Sequence, residues 1–224
     1  VVNVDEGRST CTIYTKSGAK IRAKILLYAC NGYLGFLKKA VGNRTLPINS
    51  FMVATQPLQA GLAKNLLPTS CAVYDSRFVV NYFRLSRDNR LLFGGGETYG
   101  YRFANNIKGF VAKPLRTVFP VLRDVPIDYA WGGTLCITRT RLPDFQELAP
   151  NVYSMSGYSG AGVSMATMAG KIFADMIQGN DRDFRIMSKL PTPIFPGSRW
   201  PLSQYLRAPM LAMAMKFYAL RDKW

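Results

Sequence analysis

A glycine-rich turn between a short apolar strand and a long helical pattern constrains this chain more than any other feature. The turn spans residues 156–162 and reads Ser-Gly-Tyr-Ser-Gly-Ala-Gly. It follows a strand candidate at Asn151–Met155 and precedes a helix predicted over Val163–Ile177, which Gly179 ends. Such a turn can hold an anion or a carbonyl oxygen at the helix N-terminus, or can simply permit close packing. The spacing is G-x-x-G-x-G, and neither a G-x-G-x-x-G fingerprint nor a P-loop occurs in the chain.

The beginning of the chain has the pattern of the same α/β region. Alternation across Cys11–Ala23 around Lys16-Ser17-Gly18 predicts a β-hairpin. The apolar run Lys24–Ala29 is closed by Cys30-Asn31-Gly32, which predicts a doubly buried parallel strand. The chain is therefore expected to begin inside an α/β sheet, of which a preceding segment would supply the rest.

The middle of the chain has the pattern of antiparallel strands covered by one helix. The predicted elements are a strand over Leu46–Gln56, a hairpin of Phe78–Leu85 with Arg90–Gly94, a helix over Ile107–Pro120 and a strand over Ile127–Ile137. Asn105 or Asn106 is expected to cap the helix, and Pro114 to kink it or delay its start. The pair Gly132-Gly133 is expected to interrupt the last strand.

Composition excludes several kinds of chemistry. The chain contains no histidine, so Ser-His-Asp triads, Cys-His dyads and histidine-based zinc sites are excluded. Its 29 Lys and Arg against 13 Asp and Glu give a formal net charge of +16. These charges are spread along the chain, and they fit a nucleic acid, an anionic membrane surface or a polyanionic partner without naming one. The four cysteines contain no C-x-x-C pair and are expected to be buried thiols in a reducing, cytoplasmic compartment, with no metal site.

The C-terminal region is predicted to wrap the surface and then to form a helix. Residues 181–200 are rich in proline and arginine, which predicts an extended segment. An amphipathic helix, broken near Pro209, is predicted over Leu202–Leu220. The tail Leu202–Trp224 either packs on the rest of the protein or makes a peripheral membrane contact. No run approaches the roughly 18 apolar residues of a transmembrane helix, so no membrane span is predicted.

Seven segments, in this order, resemble the C-terminal half of the D-amino-acid-oxidase-like (glycine/sarcosine oxidase) superfamily of FAD-dependent oxidoreductases. The segments are Tyr28–Tyr33, Leu46–Ile48, Tyr82–Ser86, Asp88–Gly95, Trp131–Leu135, Gly157–Val163 and Tyr218–Asp222. An ordered set that covers nearly the whole chain is far more specific than one glycine motif.

The resemblance implies an α+β fold, with an antiparallel substrate-binding sheet and the C-terminal part of an FAD-binding α/β (Rossmann-like) domain. The expected division is residues 1–42 and 144–180 for the FAD-binding domain, 43–143 for the substrate-binding domain, and 181–224 for the C-terminal wrap and helix. The implied activity is oxidation of a C–N bond in a small-molecule amine, in which a hydride leaves the C–H beside nitrogen for the flavin. A D-amino-acid, glycine or sarcosine oxidase and a non-catalytic nucleic-acid-binding module are the alternatives, although the aromatic residues do not interleave with basic ones as nucleic-acid stacking requires.

By the same resemblance, the cofactor-binding residues lie on two segments. The backbone N–H groups of Gly160, Ala161, Gly162 and Val163 face the pyrimidine carbonyl of the flavin. The others are Ala29, Asn31 and Gly32, beside the nucleotide part of FAD, and Gly157 and Ser159. FAD is expected to be lost from this chain alone, because the family's fingerprint and ribose-binding acidic residue belong to an upstream segment that is missing here.

Three departures from the family pattern qualify the resemblance. Ala161 stands where many relatives have histidine, so a backbone contact survives and a side-chain contact does not. Cys136 is one residue from the position of a flavin-linked cysteine, so FAD is expected to be non-covalent. Thr134-Leu135-Cys136 occupies the stretch in which amino-acid oxidases place a carboxylate-binding arginine, which favours an amine or polyamine-derived substrate. No catalytic residue is assigned.

Substrate-binding residues are predicted from strand geometry. Tyr82 and Arg84 share one face of a strand because side chains alternate with period two. Tyr82 would form a wall beside the amine, and Arg84 either pairs with a glutamyl carboxylate or is a solvated surface charge. Trp131 is a substrate-site candidate too, although a packed position in the core is favoured for it over one covering the flavin. Arg139 and Arg141 either steady the FAD pyrophosphate or face water.

Overall fold

The computed structural model describes residues 1–198 except Ser70, Phe78 and Gly100, together with Met213. The chain divides into two units. Unit 1 comprises Val1–Pro47 and Leu135–Arg207, and unit 2 comprises Ile48–Thr134 and Ala208–Trp224.

The described residues form mixed strands and helices. The strands are β1 Asn3–Glu6, β2 Cys11–Tyr14, β3 Lys20–Ala23, β4 Leu26–Tyr28, β5 Thr45–Thr55, β6 Val73–Tyr74, β7 Tyr82–Leu85, β8 Leu91–Tyr99, β9 Ile127–Thr138, β10 Asp144–Ala149 and β11 Val152–Ser156. The α-helices are α1 Lys39–Gly42, α2 Ala60–Leu66, α3 Ile107–Val118, α4 Gly162–Ile177 and α5 Arg182–Met187. Short 3₁₀ turns occur at Asn31–Tyr33 and Pro120–Leu122.

Unit 1 contains two three-stranded sheets, ordered β1-β2-β3 and β10-β11-β4. The hairpin predicted over Cys11–Ala23 is confirmed: β2 and β3 pair antiparallel, and Gly18 has a φ of 86° in the turn. The parallel strand predicted after it is also confirmed, since β4 pairs in parallel with β11. Its double burial is wrong, because β4 is an edge strand among the described residues and Leu26 and Leu27 are only half-buried.

The predicted wrap over 181–200 is wrong in its first part, which forms α5. This short helix is held by tertiary packing, since Phe184 is buried against Phe145 and Tyr153. Residues 191–198 contain no helix or strand, as predicted, and run along unit 1 as a strap. Three side chains donate hydrogen bonds to carbonyl oxygens of the strap: Thr140 to Pro191, Arg44 to Thr192 and Arg139 to Ile194.

Unit 2 contains a five-stranded sheet, ordered β6-β7-β8-β5-β9, with α3 packed on one face. The pairs β6–β7, β7–β8 and β8–β5 are antiparallel. Phe51 and Phe93 are fully buried between the sheet and Leu115 of α3. Asn106 caps α3 as predicted, since its Oδ1 accepts a hydrogen bond from the Gly109 N–H at 2.9 Å. Pro114 does not delay the helix, which begins at Ile107 and contains the proline.

Strand β9 is continuous through Gly132 and Gly133, so the predicted interruption is wrong. Both glycines lie in the strand, but their surroundings differ. A Cβ placed on Gly132 would lie 2.5 Å from the Phe51 ring and 3.1 Å from the Ser50 carbonyl oxygen. A Cβ on Gly133 would have no heavy atom within 4 Å, apart from those of its own chain neighbours. Glycine at 132 is therefore explained by the approach of a buried ring rather than by a break in the sheet.

Two of the four cysteines are not buried as predicted. Cys11 and Cys136 are buried, whereas Cys30 and Cys71 are exposed, and all four are free thiols. Within the described residues, no helix combines the length and hydrophobicity that crossing a bilayer takes. The predicted helix over Leu202–Leu220 lies outside the described residues except for Met213.

We expect Gly132→Ala to lower the free energy of unfolding by about 1–3 kcal/mol, because the buried Phe51 ring cannot move aside without strain. Gly133→Ala is the matched control and should be neutral or slightly stabilising, because its methyl group enters open space. Urea unfolding followed by circular dichroism measures both values. Equal effects of the two substitutions would contradict this account of Gly132.

Candidate functional site

In unit 1, the segments that follow two parallel strands meet at one edge of a sheet. Leu26 to Tyr28 of β4 pair in register with Val152 to Ser154 of β11. Because the strands run in the same direction, the residues after Tyr28 and those after Ser156 lie at the same end. The Asn31 side-chain oxygen accepts a hydrogen bond from the Gly157 N–H at 3.2 Å and ties the two segments together. The carboxyl ends of parallel strands are where open α/β sheets bind ligands.

The three predicted residues after β4 differ in exposure. Ala29 is exposed, Asn31 is partly exposed, and Gly32 is buried within the 3₁₀ turn. Asn31 has a φ of 45°, in the left-handed region that asparagine tolerates better than most residues. The Asn31 side chain therefore holds the adjacent turn, while Ala29 is exposed.

The glycine-rich turn has a left-handed backbone at three positions. Gly157, Ser159 and Gly160 have φ values of 72°, 51° and 102°. Gly157 is additionally constrained by space, because a Cβ there would lie 2.5 Å from Cγ2 of Thr138. At Gly160 the constraint is conformational, since no atom lies within 4 Å of an added Cβ.

Ser159 makes three hydrogen bonds that stabilise the turn. Its N–H donates to the Cys136 carbonyl at 3.0 Å, and its hydroxyl donates to the Gly157 carbonyl at 3.0 Å. The same hydroxyl accepts from the Thr138 N–H at 3.3 Å. Ser159 therefore shapes the turn, and its side chain is already occupied within it.

The start of α4 is open. The N-cap residue Ala161 provides no side-chain hydrogen bond, and the first turn contains no acidic residue. Val163 is 93% exposed, and a Cβ on Gly162 would have no heavy atom within 4 Å. The first N–H groups of an α-helix lack partners within the helix and carry a partial positive charge. The predicted role of the Ala161 N–H is wrong, because it donates to the Tyr158 carbonyl at 2.9 Å within the turn. The other N–H groups at the start of α4 are the donors that suit a carbonyl oxygen or an anion.

Two buried ionisable groups lie beneath this turn. Burial raises the pKa of the Cys136 thiol to about 11, so the thiol is protonated near neutral pH and is a poor nucleophile. Burial also raises the pKa of Asp144, although hydrogen bonds from Thr192 and Gln146 and the charge of Arg44 oppose that rise. Both residues support the turn from within the fold.

In unit 2, the three predicted substrate residues lie on the sheet face opposite α3. Phe83 of β7 packs in the core, so its neighbours Tyr82 and Arg84 point to the other face. On β9, Gly132 faces Phe51, and the Thr134 hydroxyl donates to Asn49, whose side chain is on the Phe51 side. Trp131 therefore points to the same face as Tyr82, which we call the open face because Tyr82, Arg84 and Trp131 are each at least partly exposed. Its predicted place in the core is wrong, because it is 43% exposed.

The two arginines proposed for the pyrophosphate differ in their surroundings. The Arg139 guanidinium donates to the Ile194 carbonyl at 3.1 Å and so fastens the strap. Arg141 is exposed and has a left-handed φ of 60°.

Sequence patterns did not identify two residues of the open face, Ser50 and Gly94. The Ser50 hydroxyl lies 2.9 Å from the Tyr82 hydroxyl. A Cβ placed on Gly94 would lie 2.1 Å from the Tyr82 ring. The run Gly94-Gly95-Gly96 was the available signal, but the residue that each glycine contacts depends on strand register.

The profile of the family described as "DAO: FAD dependent oxidoreductase" matches residues 1–176. The chain belongs to this family. Gamma-glutamylputrescine oxidoreductase of Escherichia coli (strain K12) is 36% identical over 216 residues, which are 96% of this chain and 50% of that protein. A probable oxidoreductase, OrdL, of Rhizobium meliloti (strain 1021) is 38% identical over 230 residues, covering 99% of this chain and 52% of that protein.

The chain spans about half the length of these curated relatives of the FAD-dependent oxidoreductase family. Among solved structures, glycine oxidase from Geobacillus kaustophilus is similar with a TM-score of 0.65 and 19% identity, covering 80% of this chain and 47% of that one. L-proline dehydrogenase from P. horikoshii has a TM-score of 0.61 and 20% identity, and the match covers 85% of this chain and 50% of that one. These structures confirm the α+β fold class of the family. The comparisons give no support to a nucleic-acid-binding module.

Asp144 should make the free energy of unfolding depend on pH. Because its pKa is raised in the folded state, protonated Asp144 favours folding below the unfolded pKa, and this stability is lost as pH rises through the folded pKa. Asp144→Asn should remove this loss, so the variant should gain stability relative to the wild type as pH is raised over a range that starts near the ordinary Asp pKa of about 4. Urea unfolding across that range measures the difference.

Thr192→Val is the companion variant. It removes the hydrogen bond that lowers the pKa of Asp144, so the loss of stability should move to higher pH. If the unfolding free energies of the wild type and of Asp144→Asn changed in parallel with pH, Asp144 would not be the group responsible for the loss of stability.

Proposed function

We propose that this chain is the C-terminal portion of an FAD-dependent oxidoreductase that oxidises a C–N bond of an amine, with gamma-glutamylputrescine as the substrate type. The family match and the named E. coli relative support this proposal. The observation that carries it is the open, uncapped start of α4 at the carboxyl ends of two parallel strands. Bound FAD would supply the hydride acceptor, a step for which protein side chains have no equivalent.

On this proposal the protein's part is to hold and polarise the flavin through backbone groups. The N–H groups of Gly160, Gly162 and Val163 would donate to the pyrimidine carbonyl and stabilise negative charge there. Ala29, Asn31 and Gly32 would lie beside the nucleotide portion. Gly157 and Ser159 would act by shaping the turn, because the Ser159 hydroxyl is occupied by internal hydrogen bonds. The raised pKa of Cys136 supports non-covalent attachment.

The open sheet face of unit 2 would bind the substrate. Tyr82 and Trp131 offer aromatic surface to an ammonium group, and exposed Arg84 offers a partner for a carboxylate. A substrate with a cationic end and a carboxylate at some distance from it matches this set. Glycine or sarcosine oxidation is the second candidate, and Thr134-Leu135-Cys136, which contains no arginine, favours the longer amine.

The wider role proposed here is polyamine catabolism in the cytoplasm. The support for a reducing compartment is that all four thiols are free. We also propose that the 224-residue chain alone retains FAD weakly, because it spans half the length of its curated relatives and carries no dinucleotide fingerprint.

A charge placed at the open helix start tests the flavin site. Val163→Glu should leave the fold unchanged or stabilise it by about 0.3–1 kcal/mol, because a carboxylate favours a helix N-terminus. In protein expressed from the complete reading frame and loaded with FAD, the same change should weaken flavin binding, because the carboxylate competes for the amides and repels the flavin carbonyl. Fluorescence titration of FAD measures the dissociation constant.

Val163→Gln is the neutral control, with similar size and no charge. Equal flavin affinities for the Glu and Gln variants would count against the amides of α4 as the flavin contact. Retention of stoichiometric FAD by the wild-type 224-residue chain after gel filtration would contradict the proposed weak retention.

The arginine on the open face tests the substrate type. Arg84→Gln should raise KM about tenfold for gamma-glutamylputrescine, as expected when a partly exposed charge-assisted contact is lost. KM for putrescine, which has no carboxylate, should stay unchanged. Arg87→Gln, in the exposed turn after β7, makes the same charge change and should alter neither value. Flavin bleaching at varied substrate concentration measures KM, and an equal effect of Arg84→Gln on both amines would contradict the pairing.

A further inference from the structure

The ring of Tyr82 lies across the neighbouring strand of its sheet. Tyr82 of β7 pairs directly with Gly94 of β8. A Cβ built on Gly94 would lie 2.1 Å from Cζ, 2.2 Å from Cε2 and 2.6 Å from the hydroxyl oxygen of Tyr82. The hydroxyl reaches Ser50 on β5, the strand beyond β8, at 2.9 Å. The ring thus occupies the space that any side chain at position 94 would fill.

Glycine at position 94 is explained by this ring alone. Its φ lies outside the left-handed region, and the three heavy atoms nearest to an added Cβ all belong to Tyr82. The next two glycines have other causes. An added Cβ on Gly95 would meet the Asn81 side chain at 2.7 Å, and Gly96 has a φ of 80° in the bulge where β8 shifts register against β5.

The hydrogen bond to Ser50 fixes which part of Tyr82 faces outward. Since the hydroxyl is engaged with the sheet, the outward surface of this half-buried residue is the face of its ring. An aromatic face attracts an ammonium group through its quadrupole, and the attraction depends on how the ring is oriented. The exposed Arg84 follows two residues later on the same face, about 7 Å along the strand.

We propose that Gly94 and Ser50 are positioning residues, which hold the Tyr82 ring flat on the sheet so that its face, rather than its hydroxyl, binds the cationic end of the amine. The identity of the ligand rests on the proposed function, whereas the positioning does not. Arg84 would then bind the anionic end, so the site selects amines whose two charges are separated by several bonds.

A double-mutant cycle on the 224-residue chain tests the positioning without flavin or substrate. Gly94→Ala should lower the melting temperature when residue 82 is tyrosine, because the methyl group displaces the ring. In a Tyr82→Ala background the same substitution should have no such effect. Gly133→Ala is the control, since its methyl meets open space. Equal effects of Gly94→Ala in both backgrounds would overturn the positioning.

Kinetics of the FAD-loaded protein from the complete reading frame test the role of the ring. Tyr82→Ala and Gly94→Ala should each raise KM for gamma-glutamylputrescine roughly tenfold with kcat little changed, as loss of a cation–π contact implies. Tyr82→Phe and Ser50→Ala keep the ring and should raise KM only about two- to threefold. A rise in KM for Tyr82→Phe as large as that for Tyr82→Ala would show that the hydroxyl, rather than the ring, binds the amine, and would overturn the inference.

Two further outcomes separate this inference from the proposed function. If the melting experiment showed coupling between Gly94 and Tyr82 but KM were unchanged in every variant, amine binding by the ring would be overturned. The flavin site would then still be tested separately by FAD titration of the Val163 variants. A wild-type protein that binds FAD but oxidises no amine would overturn the proposed function, and the melting cycle would still decide the positioning.

Discussion

The parallel pairing of β4 with β11 is the constraint on which unit 1 depends. It brings two loops that are 125 residues apart in sequence, at Asn31 and near Ser156, to one edge of a sheet. The Asn31–Gly157 hydrogen bond then fixes the two loops against each other. Without the pairing, the glycine-rich turn would have no fixed neighbour, and the start of α4 would not be aimed at a defined place.

Glycine has two distinct physical roles in this protein. At Gly157 and Gly160 it permits a left-handed backbone, as the turn before α4 requires. At Gly132 it makes room for a buried phenylalanine ring, and at Gly94 for a tyrosine ring on the open face. These roles look identical in sequence, because a glycine letter does not say whether conformation or space demanded it.

Patterns of alternation predicted the strands and hairpins well, because one face of most strands is buried. Among the described elements, the helices α1, α2 and α5 and the strands β1, β6 and β10 were not predicted. Tertiary packing of Phe184 decides α5, and its charged, six-residue sequence carries no strong helical signal. Trp131 was misplaced because alternation shows which residues share a face but not which face is covered. The glycine-rich turn was recognisable from local spacing, whereas the partners of Ser50 and Gly94 depend on the register between strands.

The strap along unit 1 bears on the large positive charge of the chain. Its prolines, at positions 191, 193 and 196, have carbonyl groups but no N–H, so the segment offers acceptors without matching donors. Arg44 and Arg139 supply such donors to the backbone oxygen atoms of the strap, and the Arg44 charge also acts on Asp144. Part of the positive charge of the chain is thus structural, because two guanidinium groups hold an extended, proline-rich segment in place through hydrogen bonds to its carbonyl oxygens.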